Sequence, residues 1–242
     1  MAIAAWKRLE KSAAYQRKKL RLKRLIGKEP RLRTDIDIRT LEEGGWRYHP
    51  DALDRESVVY SLGIGKDVEF DRALMRRYGL QVHAFDPTPS TGEWLRENPQ
   101  GPGFHFHPWA VTAEDGNLTL YPRIRKDGSR SSVMYTMVAN ESAREAAIEV
   151  PAYSLGSIAA TLRHRRLDLL KMDIEGAEYA VLDSLPDLAV QPKQLLVEFH
   201  HRFAGIGPAR TVEAVEALRR LGYRLFAISD TGRELSFLRA IT

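Results

Sequence analysis

The chain has 242 residues, 43% hydrophobic and 29% charged, with a formal net charge of +5. This is the composition of a soluble globular protein, and the absence of any run of about 18 apolar residues excludes an obvious membrane span. With no cysteine, disulfides, zinc–thiolate sites and Cys nucleophiles are excluded, and a basic, interrupted N-terminus does not read as a secretory signal, so a cytoplasmic enzyme or binding protein is expected.

The charge is unevenly spread. Residues 1–33 hold twelve Lys or Arg against Glu10 and Glu29, a net of +10, which leaves −5 on residues 34–242. Residues 2–26 contain no Gly or Pro, are rich in Ala, Leu, Lys and Arg, and stop at Gly27 and Pro30. They read as a basic helical extension, 1–33, ahead of one domain, 34–242. Such a helix either packs on its own domain or a second subunit, as in a homo-oligomer, or meets an anionic surface; no specific nucleic acid is expected.

From residue 56 strand and helix signals alternate. "SVVYSLGI" (57–64) reads as a strand, "EFDRALMRRYG" (69–79) as a helix with a glycine stop, "LQVHAFDP" (80–87) as a second strand and "FHFHPWAV" (104–111) as a third. "NLTLYP" (117–122) reads as an edge strand, and "RIRKDGSRSSVMYTM" (123–137) as a mobile lid or acceptor loop. Next come a helix at "SIAATLRHRR" (157–166), a buried strand at "LDLLKMDI" (167–174) and a helix at "AEYAVLDSL" (177–185). A strand at "KQLLVEFH" (193–200) and a helix at "TVEAVEALRRLG" (211–222) follow. This alternation predicts a mainly parallel sheet with helices on both faces. "YRLFAISD" and "LSFLRA" (223–230 and 235–240) are too close for a crossover, so the sheet should end in an antiparallel hairpin.

Three constellations could carry chemistry. Gly63 and Gly65 sit where the first strand meets the first helix, and Asp86 ends the next strand 23 residues after Gly63. That spacing suits an acid accepting ribose hydroxyls. A third glycine is missing, since Lys66, Asp67 and Val68 follow Gly65, which weakens a dinucleotide reading but leaves an adenosine without phosphate acceptable. In "LLKMDIEGAEYAVLDSL" (169–185) a buried strand delivers Asp173 and Glu175 at its carboxyl end, with Glu178 in the next helical turn. Close carboxylates there bind a cation or serve a base. In "LLVEFHHRF" (195–203), Glu198, His200 and His201 follow the next strand, and a neutral His suits a general base. Asp173, Glu198 and His200 could instead ligate a divalent metal, the less favoured expectation. His83, His105 and His107 read as structural.

Taken in this order and closed by the hairpin, these features resemble the class I methyltransferase fold, and "DLLKMDIEGAEYAVLDSL" is similar to the signature of FkbM-type methyltransferases. The likeness runs from about residue 55 to 240. It implies a three-layer, Rossmann-like α/β fold with a seven-stranded sheet and S-adenosylmethionine (SAM) as cofactor, with S-adenosylhomocysteine as product. It implies that Gly63, Ile64 and Gly65 lie against the methionine part, that Asp86, with Pro87 beside it, holds the ribose hydroxyls, and that Trp109, Ala110 and Val111 border the adenine. Asp173 would face the methionine amino group or the acceptor. Ser61 stands where the family often has an acid, and Asp67 where it often has a third glycine, so amino-group recognition falls to Asp67 or Asp173. The expected reaction is O-methylation of a hydroxylated small molecule or sugar, with His200 or His201 as base and Asp173 or Glu175 orienting the acceptor. The rival readings are an NAD(P)-dependent oxidoreductase and a catalytically silent adapter that docks through its basic helix.

Overall fold

The computed structural model describes residues 12–124, 130–136 and 141–240. A first helix, α1 (Ala13–Leu25), is capped by Ser12 and ends at Gly27, as expected; the expected stretch before residue 12 lies outside the described residues. A short hairpin, β1 (Leu41–Glu43) and β2 (Trp46–Tyr48), precedes the alternating region. That region runs β3 (Val58–Leu62), α2 (Glu69–Tyr78), β4 (Gln81–Phe85), α3 (Pro89–Glu97) and β5 (Phe104–His107). Next come β6 (Ala110–Thr112), β7 (Gly116–Ile124), β8 (Arg130–Thr136) and β9 (Ile148–Ser154), then α4 (Leu155–Thr161), β10 (Leu169–Met172) and α5 (Glu178–Asp183). The chain closes with β11 (Gln194–Glu198), α6 (Gly207–Arg220), β12 (Tyr223–Ile228) and β13 (Glu234–Arg239).

Seven strands form the main sheet in the order β12-β13-β11-β10-β3-β4-β5. The strands from β11 to β5 run parallel, and β13 runs antiparallel to both β11 and β12. A parallel sheet whose last strand is tucked back between its neighbours is the class I methyltransferase topology, and the chain has that fold. The central strands are buried on both faces, which is why they read as apolar runs rather than alternating ones. Leu62, Leu170, Met172, Leu195 and Val197 pack with α4, α5 and α6 on one face. Val59, Val82, Leu169 and Leu196 pack with Phe70 and Leu74 of α2 and with Trp46 and Tyr48 of β2 on the other. Acidic Glu69 and Asp71 open α2, Arg76 and Arg77 close it, and Gly79 at φ 66 donates its N–H to Met75 O at 2.9 Å; the dipole and the left-handed cap set the boundaries.

The expected third strand at 104–111 is two strands in two sheets. Pro108 and Trp109 break it, so that β5 is the edge of the main sheet and β6 begins a second sheet of order β6-β9-β7-β8. A proline cannot donate to a ladder, and the strand changes sheets there. The expected edge strand at 117–122 therefore belongs to β7, paired antiparallel with both β8 and β9. The expected loop 123–137 holds the end of β7 and all of β8; its residues 125–129 and 137 lie outside the described residues.

The N-terminal segment is tied to the domain. Leu20 is buried, and a Cβ on Gly232 would meet its Cδ1 at 2.5 Å, so the turn between β12 and β13 receives Leu20 because it offers no side chain there. Arg17 pairs with Asp230 at 3.2 Å. Glu29 is fully buried and accepts from His201 Nε2 at 2.8 Å and from Arg202 Nε, while Leu32 joins the core beside α6.

Candidate functional site

At the carboxyl edge of β3, β4 and β10 the chain encloses a cavity of about 300 Å³. In an open α/β sheet this is the crevice where ligands gather. Its floor is the loop after β3, in which Gly63, Ile64, Gly65, Lys66 and Asp67 all face the space. Asp86, Pro87 and Thr88 follow from β4, Ala110 and Val111 from β6, and Asp173, Ile174, Glu175 and Ala177 from the end of β10. The second sheet supplies the remaining wall through Leu118, Leu120 and Tyr135.

The two glycines have different jobs. Gly63, at φ +70, donates its N–H to Phe85 O at 2.8 Å, and a Cβ there would lie 1.8 Å from Asp173 O. It is the point where β3 and β10 approach too closely for any side chain. Gly65, at φ +52, has open space where its Cβ would be, so its bare backbone forms part of the cavity wall. Its N–H donates to Asp86 Oδ2 at 2.8 Å, and Thr88 N–H donates to Asp86 Oδ1 at 2.8 Å. Asp86 is buried and thus held by two backbone donors, and each carboxylate oxygen keeps a second lone pair for a ligand hydroxyl. Asp67 Oδ1 accepts from Glu69 N–H at 3.0 Å, closing the turn that leads from the cavity rim into α2.

Ser61 lies elsewhere. Its side chain is fully buried and absent from the cavity wall, on a strand position that pairs with Lys171 and Ala84. Beneath the sheet, burial raises the carboxyl of nearby Asp71, opposed by the charge of Lys171. Trp109 is also outside the wall: it packs edge-on to Tyr153 and over His107, and carries Ala110 and Val111 into place behind it. His83, His105, His107 and His164 form an aromatic column with Tyr60 under β4 and β5. In it His83 Nδ1 bonds His107 Nε2 at 3.1 Å and Tyr60 OH bonds His164 Nδ1 at 2.8 Å.

The acidic cluster is anchored by Glu178. This fully buried carboxylate accepts from Gly176 N–H at 2.9 Å and His200 N–H at 2.7 Å, and its Oε1 stands 3.2 Å from His200 Nδ1. That contact fixes the ring, whose Nε2 stands 3.7 Å from both Asp173 Oδ1 and Glu175 Oε2. The turn is wound tightly, with Glu175 at φ 51 and Gly176 at φ 104. A left-handed non-glycine residue is a cost that surrounding structure must hold in place. Burial raises the Asp173 pKa, against the charges of Lys171 and His200. Glu198 is pushed up to about 7, first by burial and then by the charge of Asp173, while Arg233 pairs with it and opposes the shift. His200 loses charge to burial, but the Glu178 bond and the surrounding carboxylates outweigh this, so its pKa is raised.

Asp173, Glu198 and His200 present ligand atoms within 4.8 Å of one another, the three groups expected to hold a metal if one binds. Arg233 already supplies Glu198 with a counter-charge. The structure brings His200 to this cluster but not His201, whose buried side chain turns to Glu29 instead. Sequence reasoning did not find Lys66, Thr88, Leu118, Leu120, Tyr135, Ile174 or Ala177 in the wall, nor Glu29 as the partner of His201. The Leu118 and Leu120 alternation was visible, but nothing local says which sheet it joins.

Residues 48–225 match the family model of the methyltransferase FkbM domain. The chain is 26% identical over 192 residues to the probable methyltransferase-like protein 24 of Rattus norvegicus, covering 75% of this chain and 46% of that protein. The Homo sapiens protein of the same name is 24% identical over 192 residues, covering 75% and 45%; the chain thus spans a little under half the length of these relatives. A crystal structure of Aeropyrum pernix fibrillarin in complex with S-adenosyl-L-methionine aligns over 87% of this chain and 85% of that one, with a TM-score of 0.39 and 9% identity. With the family model matched across most of its length, the chain belongs to the FkbM methyltransferase family.

Proposed function

We propose that the protein is a SAM-dependent methyltransferase that methylates a hydroxyl oxygen of a small-molecule or sugar acceptor. The observation that carries this reading is the single cavity wall shared by the Gly65 loop, the doubly anchored Asp86 and the Asp173 carboxylate. The residues fit the cofactor: Gly65 leaves open the space a Cβ would take, Asp86 has lone pairs aimed at ribose hydroxyls, and Ala110, Val111 and Leu118 offer apolar surface to a base. No phosphate cradle is needed, which agrees with the missing third glycine.

Bound SAM supplies an already activated methyl group, so the protein's task is alignment, exclusion of water and removal of the hydroxyl proton. Asp173 and Glu175 face the cavity whereas His200 stands behind them, and we assign the proton to Asp173, which lies at the end of β10 beside the Gly63 backbone. Its raised pKa makes it a better base than an exposed carboxylate. His200, locked by Glu178, steadies the charge of Asp173 and Glu175. The second sheet, through Leu118, Leu120 and Tyr135, closes the acceptor side against water.

Calorimetry with S-adenosylhomocysteine tests the reading. Micromolar binding by the native chain and its loss in Gly65→Asp are expected. An unchanged affinity in that variant, or affinity for NAD(P) in place of the adenosyl ligand, would overturn it.

A further inference from the structure

Helix α1 is docked with an apolar patch turned away from the domain. Leu22, Leu25 and Ile26 are 60%, 72% and 58% exposed, and among the described residues the other large exposed hydrophobic is Val212 at 36%. A helix that packs on a domain normally buries its apolar stripe, but here the domain takes Leu20 and leaves three large side chains outside. Their spacing of three and four places them side by side on one helix face. Lys18, Lys19 and Arg21 are exposed on the same stretch, and at about 100° per residue they flank the patch. Glu29 is the one acidic residue between Ser12 and Arg33, and it is buried, so within this described segment no exposed acid stands beside these cations.

The orientation is fixed. Arg17 on Asp230, Leu20 over Gly232, and Glu29 on His201 and Arg202 hold the helix from the opposite side. The turn beneath it lies between β12 and β13, at the carboxyl edge of the sheet that also bears the cavity.

We propose that this face of α1 docks on an anionic lipid bilayer. Leu22, Leu25 and Ile26 enter the headgroup boundary, and Lys18, Lys19 and Arg21 remain among the anionic headgroups. Apolar side chains rimmed by cations are the chemistry of a helix lying in a charged interface. No helix among the described residues is long and apolar enough to cross a membrane, and the proposed contact is one made by a helix lying in the interface. A second copy would also cover the apolar patch, but it would bring two copies of this basic helix together with no exposed acid of the described segment to receive Lys18, Lys19 and Arg21. A nucleic acid would use the cations but leave the leucine patch wet.

Cosedimentation of the full chain with vesicles decides it. Binding is expected to phosphatidylcholine vesicles containing phosphatidylglycerol, not to phosphatidylcholine alone, and to weaken as salt is raised. The triple variants Leu22→Ser/Leu25→Ser/Ile26→Ser and Lys18→Glu/Lys19→Glu/Arg21→Glu should each lower the partition coefficient about tenfold or more. S-adenosylhomocysteine affinity and the thermal midpoint should stay unchanged, since these side chains are exposed. Failure to bind anionic vesicles, or equal binding by both variants, would overturn the proposal. So would light scattering that shows a dimer broken by Leu25→Ser, which would assign the face to a second copy.

Discussion

Gly63 and Asp173 meet backbone to backbone: a Cβ on Gly63 would stand 1.8 Å from the Asp173 carbonyl oxygen. The glycine that begins the ligand loop therefore also sets how closely the proposed base approaches from β10. Neither partner is a flexible side-chain end, so the collision cannot be relieved without parting β3 from β10. Gly63→Ala should cost about 3 kcal/mol or more, or prevent folding, as read by thermal denaturation. Gly65→Asp meets open space and pays mainly for its left-handed backbone, roughly 1–2 kcal/mol, so the fold should survive while the new carboxylate fills the cavity.

Asp86→Asn keeps the shape of the side chain but replaces one accepting oxygen with a donor facing a backbone N–H. The Gly65 loop should loosen and the ribose contact weaken, with S-adenosylhomocysteine affinity falling about 10- to 100-fold by calorimetry. Retention of full affinity would mean that the carboxylate serves the loop alone.

The buried Glu29 gives the stability a defined pH signature. Burial works to raise its pKa, but the hydrogen bonds from His201 and Arg202 and the Arg202 charge outweigh it and lower the carboxyl to about 2. A depressed folded-state pKa stabilises the protein above the ordinary value of 4.5, and that contribution is lost as pH falls toward 2. Its full size is on the order of 3 kcal/mol. Denaturant titrations should show wild type more stable than Glu29→Gln at neutral pH, with the gap shrinking between about pH 4.5 and 2.

Metal should not be required. Arg233 pairs with Glu198, and Glu178 fixes His200 through Nδ1, so protein groups already engage two of the three side chains that would ligate a cation. The thermal midpoint should shift by less than about 1 °C with EDTA, Mg²⁺ or Mn²⁺, since a ligand that binds the native state must stabilise it. A large shift that Asp173→Asn abolishes would place a cation among Asp173, Glu198 and His200.

The parallel core was legible because strands buried on both faces leave apolar runs, and the terminal hairpin because its turn is too short for a crossover. The second sheet was not. β7 and β8 pair across residues of mixed polarity, and Pro108–Trp109 moves the chain between sheets with no change in strand propensity. At the site, the glycine turn, Asp86 and Asp173 could be located from strand ends alone, since topology brings carboxyl ends together. Which way a side chain points could not. Ser61 faces into the sheet packing rather than the cavity, and of two adjacent histidines one turns to Glu178 and the other to Glu29. The Glu29 contact joins residues 172 positions apart, and no local pattern encodes such a partner.

A crystal structure with S-adenosylhomocysteine tests the central claim most directly. The ribose hydroxyls should lie on Asp86, the backbone of Gly65 should run along the ligand, and the sulfur should face the Asp173 carboxylate. A ligand seated away from Gly65 and Asp86, or one whose sulfur turns from Asp173, would contradict the account.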